Sequence, residues 1–398
     1  MTSKNGSLIF VGSGVVDVAH FTLQAVAYLH EAERVHYLVP EPAAQIYIQQ
    51  RSLHTSNLAQ YYQEGKSRYE SYLEMSEVIM RDVRAGHKVV VIIKGHPGSS
   101  ASPAHRALAM AREEGYKAKM LPGISPLDSM IADLEIDPSM YGCMISEATE
   151  LLAHDRPLDT SVHNIILHIG YIGEQLDNSR FSLLVNRLTS DFDSEHRVTH
   201  YLGETTPQSR LAMVTYSIAE LSAESLAEWI LPQSALYIPP LAVPKPTAAT
   251  TLGLPDIVTR YLSASTQCES ADGSSSRPST IVDYGDHVKI ALERVKSRVT
   301  SEGFQSMRAS TAMRDFLTKL SLRCSFRDDY HDSEEKRAEL LSRVSGLTDR
   351  ERFALQFALA APVEALIFRD TEEEQSEEQL REIAARRPRV YLHPPMAV

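Results

Sequence analysis

The chain has 398 residues, 43% of them apolar, with 52 acidic side chains against 40 basic ones and a formal net charge of −12. That length holds more than one folding unit at about 150 residues per domain, and the acidic balance excludes nucleic acid and anionic membrane surfaces, which need basic patches longer than Arg386-Arg387-Pro388-Arg389. Cys143, Cys268 and Cys324 are too few and too scattered for a disulfide framework or a thiolate metal site, no signal region precedes Ser7 and no run approaches a membrane span, so the protein is expected in the cytoplasm.

Residues 7–12 read as a strand closed by the Gly12-Ser13-Gly14 turn. The spacing of Phe21, Leu23, Val26 and Leu29 predicts a helix over 21–33, and a strand follows over 35–39. This begins an alternating α/β chain. Gly12-Ser13-Gly14 could open a dinucleotide fingerprint, but the third glycine would fall at Asp17 and no acidic residue ends the next strand before Pro40, which favours a plain tight turn.

Tyr61, Tyr62, Tyr69 and Tyr72 then crowd around Arg68 in a chain with 7% aromatics. Arg68 and Tyr72 share one face if the segment is helical, and Tyr62 can return to them across a turn at Gly65. A guanidinium beside a phenol favours the phenolate and moves it toward use as a base. The alternative is a helix–loop seam of tyrosines with wet hydroxyls. A helix over 75–83 leads into Val89–Ile93, an unbroken β-branched run that reads as a strand buried on both faces in the middle of a parallel sheet. It breaks into Lys94-Gly95-His96-Pro97-Gly98, where two glycines free the backbone for a ligand's close approach at the carboxyl end of a strand.

A helix over 103–114, a short strand over 117–121 and a helix over 126–134 follow, with the Pro122-Gly123-Ile124-Ser125 turn offering a hydroxyl between the last two. A buried strand over 161–170 carries His168 near its end, where a lone histidine is more often a satisfied core group than a ligand. A helix over 181–189, a strand over 197–203, a helix over 218–229 and a last edge strand over 234–238, stopped by Pro239 and Pro240, complete this part. No metal-ligand spacing occurs among the His, Asp and Glu residues.

Composition changes after Pro240. Residues 241–280 are rich in Pro, Thr, Ser and Ala, and 271–278 read as a mobile loop. From Asp283 to Arg369 the pattern is helical: Met313, Phe316, Leu317 and Leu320 form one apolar face, and Thr348-Asp349-Arg350-Glu351 is a capping box opening a helix over 353–361 that stops at Pro362. An acidic run over 370–378 gives way to a tail over 386–398 that turns apolar at its end, either a disordered remnant or a segment to be buried in a partner's site.

The Val11-Gly12-Ser13-Gly14 opening, the Gly95–Gly98 loop and the Pro122–Ser125 turn resemble the tetrapyrrole methylase family of S-adenosylmethionine-dependent methyltransferases. More closely, Gln60-Tyr61-Tyr62, Gly65-Lys66-Ser67-Arg68, Met75-Ser76-Glu77, His105-Arg106-Ala107-Leu108-Ala109, Met120-Leu121-Pro122-Gly123, Ala312-Met313, Leu317-Thr318-Lys319-Leu320 and Leu347–Glu351 are similar to the fungal borosin enzymes, which methylate backbone amides of a peptide fused to their own C-terminus. The resemblance implies a two-lobed α/β methyltransferase domain over 1–245, a linker and an all-helical clasp or dimerisation domain over 246–372, and a flexible leader and core-peptide-like tail over 373–398. It implies S-adenosylmethionine in the cleft between the α/β halves, surrounded by Lys94, His96, Ser99, Ser125, His168, Gly203, Ser234 and Ala235, and a catalytic set of Tyr62, Arg68 and Tyr72. Two positions depart from the pattern. Lys94 stands where a tyrosine is expected, its charge near a sulfonium cation, and His168 stands where a glutamine is expected.

An amide nitrogen is a poor nucleophile, so methylation needs removal of its proton and stabilisation of the imidate oxygen. Tyr72 is the expected base, its phenolate favoured by Arg68, with Arg68 and Tyr62 donating to the oxygen and no metal required. Pro394 and Pro395 have no N–H, which leaves Val390, Tyr391, Leu392, His393, Met396, Ala397 and Val398 as acceptors in the tail. A tail joined through a clasp folds back poorly into its own cleft, so, as the resemblance implies, a homodimer is expected in which each chain feeds the other at a tethered concentration on the order of millimolar. The rivals are a methyltransferase for a small molecule such as a tetrapyrrole, and a cofactor-binding scaffold impaired by Lys94.

Overall fold

In the computed structural model the described residues are 5–63, 66–173, 178–204, 211–223, 226, 229–241, 252–253, 309–367 and 376–385. The chain divides into two compact units, Met1–Val282 and Asp283–Val398.

In the first unit β1 (Ser7–Gly12), β2 (Arg34–Leu38), β3 (Thr55–Asn57), β4 (Lys88–Ile93) and β5 (Lys117–Met120) form a parallel sheet in the order β3-β2-β4-β1-β5. The β-branched run thus takes the central place its composition demands, and Val89 to Ile93 are at most 5% exposed. α1 (Leu23–Glu31) and α2 (Pro42–Gln49) join the first strands. α3 (Arg68–Arg84) and α4 (Ser102–Glu113) bury Met75, Ile79, Val83, Ala104 and Ala107 against Leu8, Phe10, Val89 and Val91.

Glycines bring the neighbouring strand ends together. Gly95 lies at φ 73°, its N–H donates to the Gly14 carbonyl at 2.9 Å, and a Cβ on Gly12 would come within 2.1 Å of the Gly95 carbonyl oxygen. A Cβ on Gly98 would meet Met120 Sδ at 2.8 Å. Glycine here serves the chain's own close packing, where the sequence suggested room for a ligand. Gly12→Ala is expected to destabilise this unit by about 2–4 kcal/mol, seen as a lower urea midpoint at unchanged m-value.

α5 (Pro126–Leu134), opened by the Ser125–Asp128 capping box, leaves this sheet for a second one, where Met130 packs with Ile165, Leu167, Tyr201 and Ala235. That sheet holds β6 (Cys143–Glu147), β7 (His163–Leu167), β8 (Arg197–Leu202), β9 (Ala212–Ser217) and β10 (Ala235–Ile238) in the order β6-β7-β10-β8-β9. β6 and β7 are parallel, and β10 runs antiparallel to β7 and β8. α6 (Ala148–Ala153) and α7 (Phe181–Asp191) contribute Leu151, Leu184 and Leu188 to a core with Ile166, Leu236 and Ile238.

Two expectations are corrected here. The strand expected at the sheet edge is central, because Pro239 and Pro240 lie beyond Ile238 and withdraw no N–H from the ladder. In place of one helix over 218–229, the described residues show a 3-10 turn, Glu220–Ser222, broken where Ala223 is extended at φ −68°, ψ 129°. Ile218, Leu221, Leu226 and Ile230 all reach the core, so their apolar spacing, which reads as helical, reflects burial from more than one local conformation.

In the second unit, described by itself, helices span Thr311–Leu322, Cys324–Asp332, Glu334–Ser342, Asp349–Gln356, Ala360–Ile367 and Glu377–Ala385. Met313 and Phe316 are buried with Tyr330, Leu341 and Leu355, with Leu317 and Leu320 packed against them. The Thr348–Glu351 capping box forms. Pro362 does not stop a helix: the preceding one ends at Gln356, and Pro362 sits in the first turn of the next, where its missing N–H has no helical acceptor to leave unpaired. The loop read over 271–278 and the tail over 386–398 lie outside the described residues. Among the described residues no helix is long and apolar enough to cross a membrane.

Candidate active site

Ser67 caps α3 and closes a capping box with Glu70, so the helix begins at Arg68. That start puts Arg68 and Tyr72 one turn apart on the same face. Tyr62 returns to them, its ring edge-on to Tyr72 with centroids 6.3 Å apart at 77°. From this lobe Arg68 reaches the other: its Nη2 donates to the Gly173 carbonyl at 2.5 Å. The Gly173 N–H donates to Thr149 Oγ1 at 3.1 Å, and the Thr149 hydroxyl donates to the Tyr171 carbonyl at 3.1 Å. The resulting cleft of about 930 Å3 is lined by Tyr62, Arg68 and Tyr72 on one side and by Glu147, Thr149, His168 and Tyr171 on the other.

The electrostatics separate the roles of these groups. Burial first, then the neighbouring Tyr72, raises the Tyr62 phenol well above its ordinary range, against a smaller opposing pull from Arg68. Tyr62 therefore stays a neutral donor. Burial also raises Tyr171, again opposed by Arg68. His168, held at φ 58°, is pushed down by burial, with Arg68 and Lys94 acting in the same sense and Glu147 opposing; the His168 Nδ1 to Glu147 Oε1 distance is 4.0 Å. At neutral pH its imidazole adds no positive charge. The Lys94 ammonium is paired with the carboxylate of Glu41, a side chain only 6% exposed.

Because β7 and β8 run the same way and β10 the opposite way, His168, Gly203 and the Ser234-Ala235 step lie at one edge of the second sheet. Ser234 Oγ is used internally, bonding His200 Nε2 at 2.8 Å and accepting the Leu231 N–H at 2.9 Å. The Ser125 hydroxyl donates to Asp128 Oδ2 at 2.6 Å. His96 Nδ1 accepts the Gly98 N–H at 3.0 Å, and the Ser99 N–H donates to the His96 carbonyl at 3.0 Å. Much of this set therefore has its side-chain polar groups already bonded within the chain. The cleft lining brings together Tyr62, Arg68, Tyr72 and His168, but it does not include Lys94, His96, Ser99, Ser125, Gly203, Ser234 or Ala235. The tail positions Val390 to Val398 lie outside the described residues.

Sequence reasoning passed over Glu41, Glu147, Thr149 and Tyr171. Tyr171 was within reach, since it follows the end of β7 by the same strand-end rule that singled out His168. Glu147 and Thr149 flank the end of β6, a strand whose mixed sequence gave no signal.

Residues 7–210 match the family model of Tetrapyrrole (Corrin/Porphyrin) Methylases, and residues 283–394 match that of the Borosin biosynthesis clasp domain. A methyltransferase/ribosomally synthesized type I borosin cyclic peptide precursor of Cerrena unicolor is 39% identical over 368 residues, 91% of this chain and 89% of the relative. A second from Mycena rosella is 40% identical over 366 residues, covering 90% and 89%, and a third from Gymnopilus junonius is 38% identical over 384 residues, covering 95% and 90%. With both domains matched and the relatives aligned over most of their length, the chain is a methyltransferase of the borosin family, a tetrapyrrole-methylase-type domain followed by a borosin clasp domain.

Proposed function

We propose that the protein uses S-adenosylmethionine to methylate backbone amide nitrogens of its own C-terminal peptide, acting in trans within a homodimer to make a ribosomal N-methylated peptide. The observation that carries this reading is the convergence of Arg68, Tyr62 and Tyr72 in one cleft, a guanidinium and two phenols that together meet the demands of an amide. The relatives' names join a methyltransferase and a peptide precursor in one chain, and we read residues 390–398 as the corresponding peptide segment here.

S-adenosylmethionine, when bound, supplies an electrophilic methyl group on a sulfonium and departs as a neutral thioether. The residues fit such a donor: His168 is neutral, Lys94 is paired with Glu41, and Glu147 faces the cleft. His168, Gly203, Ser234 and Ala235 would hold it from the second sheet, and Lys94, His96, Ser99 and Ser125 from the first. Arg68 and Tyr62 donate to the amide oxygen as negative charge develops there. Burial keeps Tyr62 protonated and a donor, so the base assigned here is Tyr72, which in its phenolate form takes the amide proton as the nitrogen attacks the methyl group. The cleft walls carry Glu113, Glu147 and Glu150 along with Arg68 and Arg106, a mixed-sign surface that gives a polyanionic macrocycle no preference.

Intact mass and fragmentation of the full chain, produced with a supply of the methyl donor, are expected to show added methylene units within residues 390–398 and none on Pro394 or Pro395. Mixing an Arg68→Ala chain that keeps its tail with an active chain lacking residues 386–398 is expected to methylate the inactive chain's tail. An unmodified tail on the wild-type chain rules the reading out.

A further inference from the structure

We propose that Glu41 makes the donor site tolerant of a sulfonium: its buried carboxylate holds and neutralises Lys94, so the donor's positive charge enters without an unmatched cation beside it. The inference rests on the methyl-donor reading above and adds a residue to it.

The placement follows from the fold. Glu41 comes just after β2 and stands at the N-cap of α2, while Lys94 comes just after β4. The Lys94 N–H donates to the Leu38 carbonyl at 3.1 Å, which aligns the two strand ends at the carboxyl edge of the first sheet. There the Lys94 ammonium meets the Glu41 carboxylate, with side-chain exposures of 28% and 6%. A charge so deeply buried is costly unless an opposite charge answers it, and the Lys94 ammonium does. Lys94 immediately precedes Gly95 at that edge, and His168, which lines the cleft with Arg68, is held below the usual imidazole range mainly by burial, with smaller contributions in the same sense from Arg68 and Lys94. A sulfonium brought to Arg68 and the tyrosines therefore meets one fixed guanidinium already, and a bare Lys94 would add a second cation. Unit charges several ångströms apart in a partly buried site change affinity by about tenfold or more. The thioether product carries no charge and is blind to that difference.

The test compares binding of S-adenosylmethionine and S-adenosylhomocysteine to the full chain by calorimetry, with thermal unfolding as a fold control. Glu41→Gln is expected to weaken the sulfonium ligand by about tenfold and the thioether by less than about twofold. Lys94→Met, which leaves the carboxylate unmatched, should shift the ratio the other way, and the Glu41→Gln/Lys94→Met pair should return it to the wild-type value. The opposite signs keep the test decisive if one single variant does not fold. Equal losses for both ligands, an unchanged ratio, or a double variant that stays shifted overturns the inference. A wild-type chain that binds neither ligand is a different result, and it removes the methyl-donor reading itself.

Discussion

Arg68→Ala is expected to slow methyl transfer to the tail by about three orders of magnitude with the fold intact. The residue has two tasks in the cleft. Its Nη2 donates to the Gly173 carbonyl across the lobes, and the guanidinium supplies fixed positive charge next to both tyrosines, seen in its pull on Tyr62 and Tyr171. On the proposed mechanism alanine removes the charge that would stabilise the imidate oxygen, and it leaves the Gly173 carbonyl without this donor, which costs about 1–3 kcal/mol of local stability. Arg68→Lys should recover little, since one ammonium cannot span both partners as a planar fork does. Tyr72→Phe is expected to lose about a hundredfold or more through the missing proton acceptor. Single-turnover mass increments followed against time, with circular dichroism as a control, measure both. An Arg68→Ala chain that methylates at the wild-type rate would falsify the catalytic assignment.

The largest expected effect on stability lies in the helical unit. Glu351 is 5% exposed and serves two helix starts at once: its carboxylate accepts the Thr348 N–H at 2.9 Å, the Ser310 N–H at 3.0 Å and the Ser310 hydroxyl at 2.8 Å. Ser310 itself caps Thr311–Leu322. Glu351→Ala removes all three charge-assisted bonds and is expected to cost about 3–4 kcal/mol. Hydrogen exchange of the full chain should show faster exchange over Thr311–Leu322 and Asp349–Gln356 than in the wild type. Burial alone would raise this carboxyl, but the bonds from Thr348 and Ser310 outweigh it and the net shift is downward. With the folded value below the unfolded one, near about 4.3, the contribution is complete above that value and fades as pH falls through the folded value. Glu351→Gln should flatten this acid dependence.

Strong local signals made parts of this architecture legible. Val89–Ile93 could only be a buried central strand, and α5 occupies the expected residues because Ser125, Pro126 and Asp128 spell its start. The two-lobed α/β class followed by a helical unit is borne out. β3, β6 and β9 escaped because Thr55–Asn57 is short and polar and the others carry no clean alternation, with β9 mostly exposed. α2, Pro42–Gln49, was not read from the sequence, although Pro42 at its first turn is a residue that opens helices. In the cleft, the spacing of Arg68 and Tyr72 was readable, whereas the pairing of Lys94 with Glu41 was not. That ion pair joins residues far apart in the chain, and only the parallel pairing of β2 with β4 brings them together.

The central place of β10 bears on the order in which the lobes can form during translation. Once Met120 has cleared the ribosome, every strand of the first sheet has its neighbours. The second sheet must wait for Ala235–Ile238, because before that β6–β7 and β8–β9 are separate pairs with a gap where β10 belongs. Non-local insertion of this kind is slow and exposes unpaired edges meanwhile. The first lobe therefore stands as a finished surface on which the second assembles, and truncation within 235–238 should leave nascent chains with one ordered lobe and one prone to aggregate.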